Sequence, residues 1–539
     1  MDAGEAPYSL VAARSLSSKG HSVDLGFSIG SRIFAAYSKH CRHYLFYPDP
    51  SYAPDDFINF ANTLIGKYDF IIPTMEKTQL VLSKIKDYLE KMGTTIPISS
   101  HDVLSVATNK AKMLEIAREK DVSIPKTLVL TQEPELKELV NSLGIPFIMK
   151  TSKEADISPG PGSRYFVIKS HISQESFQSK FRQLLEHGPV ILQQYVNGAG
   201  IGASFAFARN NKVIAYFGHQ RILERFSEGG PSVIAETNYH QAAITQGFQL
   251  LSALEWQGVA MTEFKLGSDG QLYFMEVNPR FWGTLPLAIA SGVDFPNLLV
   301  DCYNTSQCSQ SHKILAKKKT LVSCLVLPQL LESLEERNLD FARENLRSTL
   351  RIFDHGLPFI VEFEKHDFSP FIRQVLNKIR AILNKNKISR IGPVFFGPHI
   401  PYNKLAELNI QSVIDLREEA EKTDHNQKIN RTIEYYEFPI KDDTAPELAT
   451  FLALISMISD IAEKESVYIH CRLGRGRAPM VVIAYLISKG VPINDAYSIV
   501  YDARPYAFLN LMQKQAIYAI YKNYLEQRNK NHLDSSTQK

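Results

Sequence analysis

The sequence predicts two successive α/β units, and three observations carry that reading. At 539 residues the chain is too long for one hydrophobic core, since single cores stop growing at about 250–300 residues. From about residue 7 to 300, short apolar segments alternate with amphipathic ones, the pattern of strands layered with helices. The same alternation resumes from about Arg390 to Arg528. Taken in order, strand signals of the first unit include Tyr68–Pro73, Pro146–Lys150, Val190–Tyr195 and Gln271–Val277. Residues 305–385 are richer in Lys, Leu and Arg and hold few strand signals. Within them Phe371, Ile372, Val375, Leu376, Ile379, Ile382 and Leu383 recur at helical spacing, which predicts a helix closing this region. The basic, polar Asn384–Ser389 reads as a linker and the last residues as a disordered tail.

Composition narrows the class. Hydrophobic residues at 44% against 22% charged describe a globular chain, not a disordered or fibrous one. A net charge of +3 over this length gives no global argument for nucleic-acid or membrane binding, so no nucleic-acid partner is expected and any anionic partner must be argued locally. Five widely spaced cysteines, Cys41, Cys302, Cys308, Cys324 and Cys471, suggest neither a disulfide framework nor a metal pair and fit a reducing compartment. No apolar run approaches the ~18 residues that span a bilayer. The acidic opening MDAGEAPYSL lacks the charge order of a secretory signal, so a cytoplasmic location is expected.

The C-terminal unit holds the most specific motif. In Ser466–Met480 an apolar strand runs into His470-Cys471, five residues follow, and Arg477 precedes Ala478-Pro479 at the start of a helical run ending at Gly490. A loop that wraps a phosphate in main-chain N–H groups needs residues able to turn tightly, here Gly474 and Gly476. The same N–H groups and the positive helix end stabilise a thiolate at Cys471. Arg477 closes the loop and grips two phosphate oxygens in a way lysine does not reproduce. Together, Arg472, Leu473, Gly474, Arg475 and Gly476 form the expected phosphate-binding turn.

The motif resembles the HCxxGxxR loop of the dual-specificity branch of the protein-tyrosine-phosphatase superfamily, over about residues 390–525. Val394–Pro398, Ser412–Arg417, Arg504-Pro505, Asn510 and Gln513 belong to the likeness. It implies a nucleophilic Cys471, a phosphate-binding Arg477 and a general-acid aspartate in Phe438–Pro446 (FPIKDDTAP), where the family pattern falls on Asp442 with Asp443 as competitor. Members commonly place a hydroxyl after the arginine; this chain has Ala478. The CRLGRGR pattern, with Arg472 and Arg475, resembles the CKAGKGR loop of inositide phosphatases and implies polyanionic substrates.

In the N-terminal unit, Asn109-Lys110 opens a helical run, Lys150 ends a strand before a loop with Gly160 and Gly162, and Ile191–Gly198 (ILQQYVNG) follows. Glu276 and Asn278 sit two apart on a strand, so both face one side. With Glu263 from a neighbouring strand they offer three hard oxygen donors suited to Mg²⁺ between nucleotide phosphates. Arg280 is placed to neutralise charge on a transferred phosphoryl group. The set resembles the ATP-grasp superfamily, especially carbamoyl-phosphate-synthase-like members ending in NPRFWG, over roughly residues 1–385. The resemblance implies ATP with Mg²⁺ or Mn²⁺, phosphate contacts from Lys110 and Lys150, an adenine pocket along Gln193, Gln194, Tyr195 and Val196, and metal held by Glu263, Glu276 and Asn278. Gln194 stands where an acidic residue is common, and the sequence opens at MDAGEAP where members have a whole β-strand.

The two resemblances imply a pre-ATP-grasp α/β subdomain at 1–105, an ATP-grasp domain of two α+β subdomains at 106–305, a helical tail and linker at 306–386, a phosphatase domain at 387–528 and a tail at 529–539. The leading expectation is a bifunctional enzyme. One part activates a small-molecule carboxylate as an acyl-phosphate for attack by an amine or thiol; the other hydrolyses a phosphorylated protein or polyanionic metabolite. The alternatives are a phosphatase governed by a non-ligating ATP-binding domain, and a phosphate-binding module without turnover.

Overall fold

The computed structural model describes residues 1–2, 7–152, 165–169, 172–226, 229–304, 320–322, 338–350, 359–360, 363–422 and 433–537, with a few isolated positions from 326 to 352. The chain divides into two units, the first reaching from Met1 to Phe371 and the second from Ile372 to Lys539. The glycine loop expected at Gly160 and Gly162 lies outside the described residues.

In the first unit the largest sheet has seven strands in the order Leu272–Asn278, Gly258–Gly267, Gly198–Phe207, Val213–Phe226, Gly229–Thr237, Thr320–Val322 and Phe359–Ile360. All neighbours are antiparallel except the last two. The register sets Glu263 opposite Glu276 and Met261 opposite Asn278, which brings the expected metal donors to one end of two adjacent strands. A four-stranded antiparallel sheet, ordered Thr127–Leu130, Val190–Gln194, Phe147–Thr151, Tyr165–Ile168, carries Lys150 and Gln193. A small parallel pair, Leu25–Ser28 with Tyr44–Tyr47, lies nearest the start. Tyr68–Pro73 does not become a strand. It makes an isolated bridge, Phe70 to Thr95, because Pro73 and Pro97 lack the N–H groups that would extend the ladder.

The strand Gly198–Phe207 (GAGIGASFAF) is buried along eight successive positions, so both faces are covered and alternation disappears. One face meets the helix Gln241–Ala253 at Gly247. A Cβ there would lie 2.4 Å from Thr262 Oγ1 and 2.9 Å from the Phe205 ring.

The second unit contains a five-stranded sheet ordered Ser389–Ile391, Val394–Pro398, Val467–Cys471, Ser412–Asp415, Glu434–Glu437. Its first pair is antiparallel and the rest are parallel. The parallel strands all finish at one edge, where Pro398 pairs with Cys471 and Asp415 with His470. That edge, outside the carboxyl ends of parallel strands, is where such sheets bind ligands. The helix Arg477–Ser488 follows the central strand and is buried over eleven consecutive residues, which explains its apolar character on every side. Asp415, fully buried, accepts from Arg417 Nη2 at 2.9 Å and from Tyr435, and lies 3.7 Å from His470. Burial opposes its charge, but Arg417, His470 and Tyr435 outweigh it and hold the carboxyl down at about 2.

The helix expected from Phe371 to Leu383 runs Ser369–Asn384. The tail expected to be disordered continues the helix Leu511–Thr537, a stretch with no glycine or proline to stop it. Cys302 is disulfide-bonded while Cys41 and Cys471 are free, which departs from the expectation of wholly reduced thiols. Among the described residues no helix is long and apolar enough to cross a membrane.

Two outcomes test this packing. Gly247→Ala gains about 1 kcal/mol of helix propensity, but overpacking costs about 1–3 kcal/mol. A net drop in thermal stability is expected, and a stabilised variant would refute the close approach. Asp415→Asn leaves Arg417 buried beside a neutral partner and should cost roughly 3 kcal/mol at neutral pH. A carboxylate with a depressed pKa contributes stability above its unfolded value of 3.8 that fades as pH falls through about 2. The gap to wild type in denaturant titrations should therefore narrow from about pH 4 and close near pH 2; a gap of constant size at every pH would rule the ion pair out as the cause.

Candidate active sites

In the C-terminal unit the central strand delivers Cys471, 3% exposed, to the sheet edge. The loop after it turns back at Gly474, whose φ is +61° and whose Cβ would lie 2.2 Å from the Gly397 carbonyl carbon. Among the described residues no group accepts from the main-chain N–H of Arg472, Leu473, Gly474, Arg475 or Gly476. The loop carbonyls are tied down instead. Fully buried Arg504 donates to Gly474 O through Nε and to Leu473 O at 3.0 Å, while the Arg472 carbonyl accepts from His399 N and the Arg475 carbonyl from Phe508 N. Carbonyls held by the surrounding protein leave N–H groups available, the arrangement of an anion cradle.

Arg477 begins the helix and is 2% exposed. Its Nη1 and Nη2 meet Glu421 at 2.6 and 2.7 Å, and Nη2 lies 3.1 Å from Asp442 Oδ1. Its Nε is buried and has no hydrogen-bond partner among the described residues. Burial opposes the guanidinium charge, but hydrogen bonding to Glu421 and the fields of Cys471 and Asp442 raise its pKa further. Arg477's hydrogen bonds hold the Glu421 carboxyl below its usual range.

Between the two competing aspartates, Asp442 directs its carboxylate at Arg477 and lies 3.7 Å from Arg472. Asp443 contributes its carbonyl to Asn510 Nδ2 at 2.6 Å and has a left-handed φ of +57°. The two loop arginines separate as well. Arg472 is exposed beside Asp442 and Glu421, whereas the Arg475 guanidinium lies over the Phe508 and Tyr506 rings. Gln513, 1% exposed, sits against Gly476, its amide Nε2 2.9 Å from where a Cβ would be.

In the N-terminal unit Lys110 pairs with Glu276, and Lys150 donates to Gln193 Oε1 at 2.9 Å. Asn109 caps the helix that Lys110 opens, which fixes the lysine's approach. Asn278 Nδ2 donates to Glu263 Oε1 at 2.9 Å and its Oδ1 accepts from Arg280 at 3.1 Å. Glu263, Glu276, Asn278, Arg280 and Lys110 thus form one cluster. Gln193 is fully buried toward Lys150 and Thr127, while Gln194 is exposed, with Tyr195 and Val196 half-buried beyond it. Burial raises both carboxyls, yet they part. Lys110, then Lys150 and Arg221, bring Glu276 down to about 2, while Glu263 stays raised beside the Glu276 charge despite Arg221. His219 is pushed down to about 3 by burial and Arg221, so it stays neutral near pH 7. Among the described residues His40, Glu364 and Asp367 form a separate trio, but Arg14 Nε lies 3.2 and 2.8 Å from its two carboxylates and already supplies the positive charge.

Sequence reasoning missed Glu421, which sits in the Arg477 fork, and Arg221, which joins Glu263 to Glu224 from a third strand. Neither belongs to a local motif. A signal for Arg221 was available in the alternation of Val213–Phe226, which puts its charge on the same sheet face as Glu263.

Two family models match separate parts of the chain. Residues 396–523 match the model of the dual specificity phosphatase catalytic domain, and residues 207–323 match that of ATP-grasp in the biosynthetic pathway with Ter operon. The carbamoyl phosphate synthase large chain of Clostridium acetobutylicum is 24% identical over 40% of this chain and 20% of its own length. A protein of Invertebrate iridescent virus 3 named as a tyrosine phosphatase, 067L, is 33% identical over 17% of this chain and 41% of its own. The chain therefore spans about a fifth and about two fifths of these relatives. Among solved structures, N5-carboxyaminoimidazole synthetase from Staphylococcus aureus with ADP is 16% identical, with a TM-score of 0.46 over 59% of this chain and 80% of that one. In chain order, an ATP-grasp domain is followed by a dual specificity phosphatase catalytic domain.

Proposed function

We propose that the C-terminal domain hydrolyses phosphomonoesters through Cys471. The observation that carries this is the cradle: five loop N–H groups and the Nε of Arg477, none with a partner among the described residues, around a buried cysteine at a helix start. A phosphoryl group with its three anionic oxygens satisfies these donors. The Cys471 thiolate attacks phosphorus, the ester P–O bond breaks, and Asp442 gives its proton to the departing oxygen. Water then attacks the phosphocysteine, returns a proton to Asp442 and frees inorganic phosphate and the thiolate. Gln513, lodged against Gly476, supports the placement of that water. Ala478 brings no hydroxyl to the departing sulfur.

Cys471→Ser should lower aryl phosphate hydrolysis at least about a hundredfold with unchanged thermal stability. Asp442→Asn should slow substrates with poor leaving groups by about 10²–10⁴ and spare those with good ones, and Asp443→Asn should do neither. A Cys471→Ser protein that still turns over, or a leaving-group effect at Asp443 instead of Asp442, would overturn the assignment.

For the N-terminal domain we infer ATP-dependent activation of a small-molecule carboxylate, the reading favoured by the convergence of Lys110, Lys150, Glu263, Glu276, Asn278 and Arg280. The donors fit a divalent cation. Two carboxylates and an amide are hard oxygen ligands, and the raised Glu263 beside charged Glu276 is a pair that more positive charge would relieve. Glu263, Glu276 and Asn278 would hold Mg²⁺ or Mn²⁺, which when bound neutralises nucleotide phosphates. Lys110 and Lys150 bind those phosphates, and Arg280 faces charge developing on the transferred phosphoryl group. Glu276→Gln should abolish metal-dependent ADP release from ATP in a screen of carboxylate and amine pairs, while aryl phosphate hydrolysis persists. Undiminished ADP release in that variant would remove Glu276 from the site.

A further inference from the structure

We propose that the helix Ser369–Asn384 lies on the surface of an anionic lipid bilayer with its apolar face inserted. Of its sixteen residues only Pro370 is buried. Ile372, Leu376, Ile379, Ile382 and Leu383 are 42–65% exposed, as is Phe368 just ahead of them at 52%. With Phe371 and Val375 these residues occupy a sector of about 140° at 100° per residue. Large apolar side chains scattered singly over a surface are ordinary, but a continuous stripe along one helix face is not.

The charges select the occupant. Between Asp367 and Glu407 the chain has no carboxylate, whereas Arg373, Lys378, Arg380, Lys385 and Lys387 fall on or just after the helix. On the helical wheel Arg373 and Arg380 border one edge of the apolar sector and Lys378 borders the other. Cations along both edges of an apolar stripe reach lipid phosphates while their stems cover hydrocarbon, the geometry of a helix lying in the membrane interface. A second copy of this helix would bring like charges together along the same edges. Spanning is excluded by length, since sixteen residues rise about 24 Å against a hydrocarbon core of about 30 Å. The near-neutral charge of the whole chain hides this segment, whose local balance is wholly positive.

The test uses the full chain and sedimentation with vesicles of phosphatidylcholine, with and without about a third phosphatidylserine. The protein should sediment with the anionic vesicles, at least tenfold more weakly with neutral ones, and release as salt rises. A double variant, Ile382→Ser with Leu383→Ser, should weaken binding at least tenfold, and so should Arg373→Glu with Arg380→Glu. Both should keep aryl phosphate hydrolysis, which shows that they fold. No binding to either vesicle, equal binding to both, or binding untouched by either variant would overturn the proposal. So would a lipid-free dimer that the Ile382, Leu383 variant dissociates, which would assign the face to a second copy. A Leu383→Cys thiol closed to maleimide in the lipid-free monomer would likewise assign it to the chain itself.

Discussion

The C-terminal site depends on a buried cation outside it. Arg504 has no exposed surface, and its guanidinium donates to the carbonyls of Leu473 and Gly474 on one side and of Lys385 and Lys387 on the other. A peptide unit presents its carbonyl and its N–H in opposite directions, so fixing the loop carbonyls against Arg504 determines where the N–H groups point. Without that anchor the loop's carbonyls would be left unpaired in a buried setting, at about 1–3 kcal/mol each. Burial lowers the Arg504 pKa, with Tyr468 and Cys471 acting against the loss. The cation is tolerated because neutral carbonyls surround it. Gly474 then meets the other half of the constraint, since only a residue without Cβ fits against Gly397 at that φ.

Both sites treat their cations alike. Arg477 is held by Glu421 and approached by Asp442; Lys110 is held by Glu276 and Arg221 by Glu263. A buried guanidinium or ammonium without a counter-charge is costly, and a carboxylate from the same domain relieves it. An anion entering either site would therefore exchange one negative partner for another instead of compensating a bare charge. In the phosphatase domain this makes Glu421 a competitor for the Arg477 fork as well as its support.

The two domains solve the placement of charge with different sheets. In the phosphatase domain, parallel strands end together and the site lies beyond their carboxyl ends, so its residues come from loops and one helix start. In the ATP-grasp domain, antiparallel strands place Glu263 and Glu276 opposite one another within the sheet, and the cations arrive from a neighbouring helix, strand and second sheet. The first arrangement concentrates the site in one short stretch of sequence; the second spreads it over more than 150 positions, from Lys110 to Arg280.

That difference governs what the sequence alone determined. Cys471, Gly474, Gly476 and Arg477 could be singled out together because a strand, a tight turn and a helix start are local in sequence and their residues keep fixed spacing. Glu276 and Asn278 could be paired because strand side chains alternate, and the amphipathic helix before the second domain because its apolar positions recur at helical spacing. The failed strand at Tyr68–Pro73 shows the limit of such patterns, since Pro97 in its partner acted together with its own Pro73. Tertiary structure alone decided that Asp442 and not Asp443 meets Arg477, that Arg475 turns to Phe508 while Arg472 stays at the site, and that Glu421 and Arg221 fill the forks between charges. Each of these depends on contacts between segments distant in sequence, and their geometry follows from packing that no local spacing encodes.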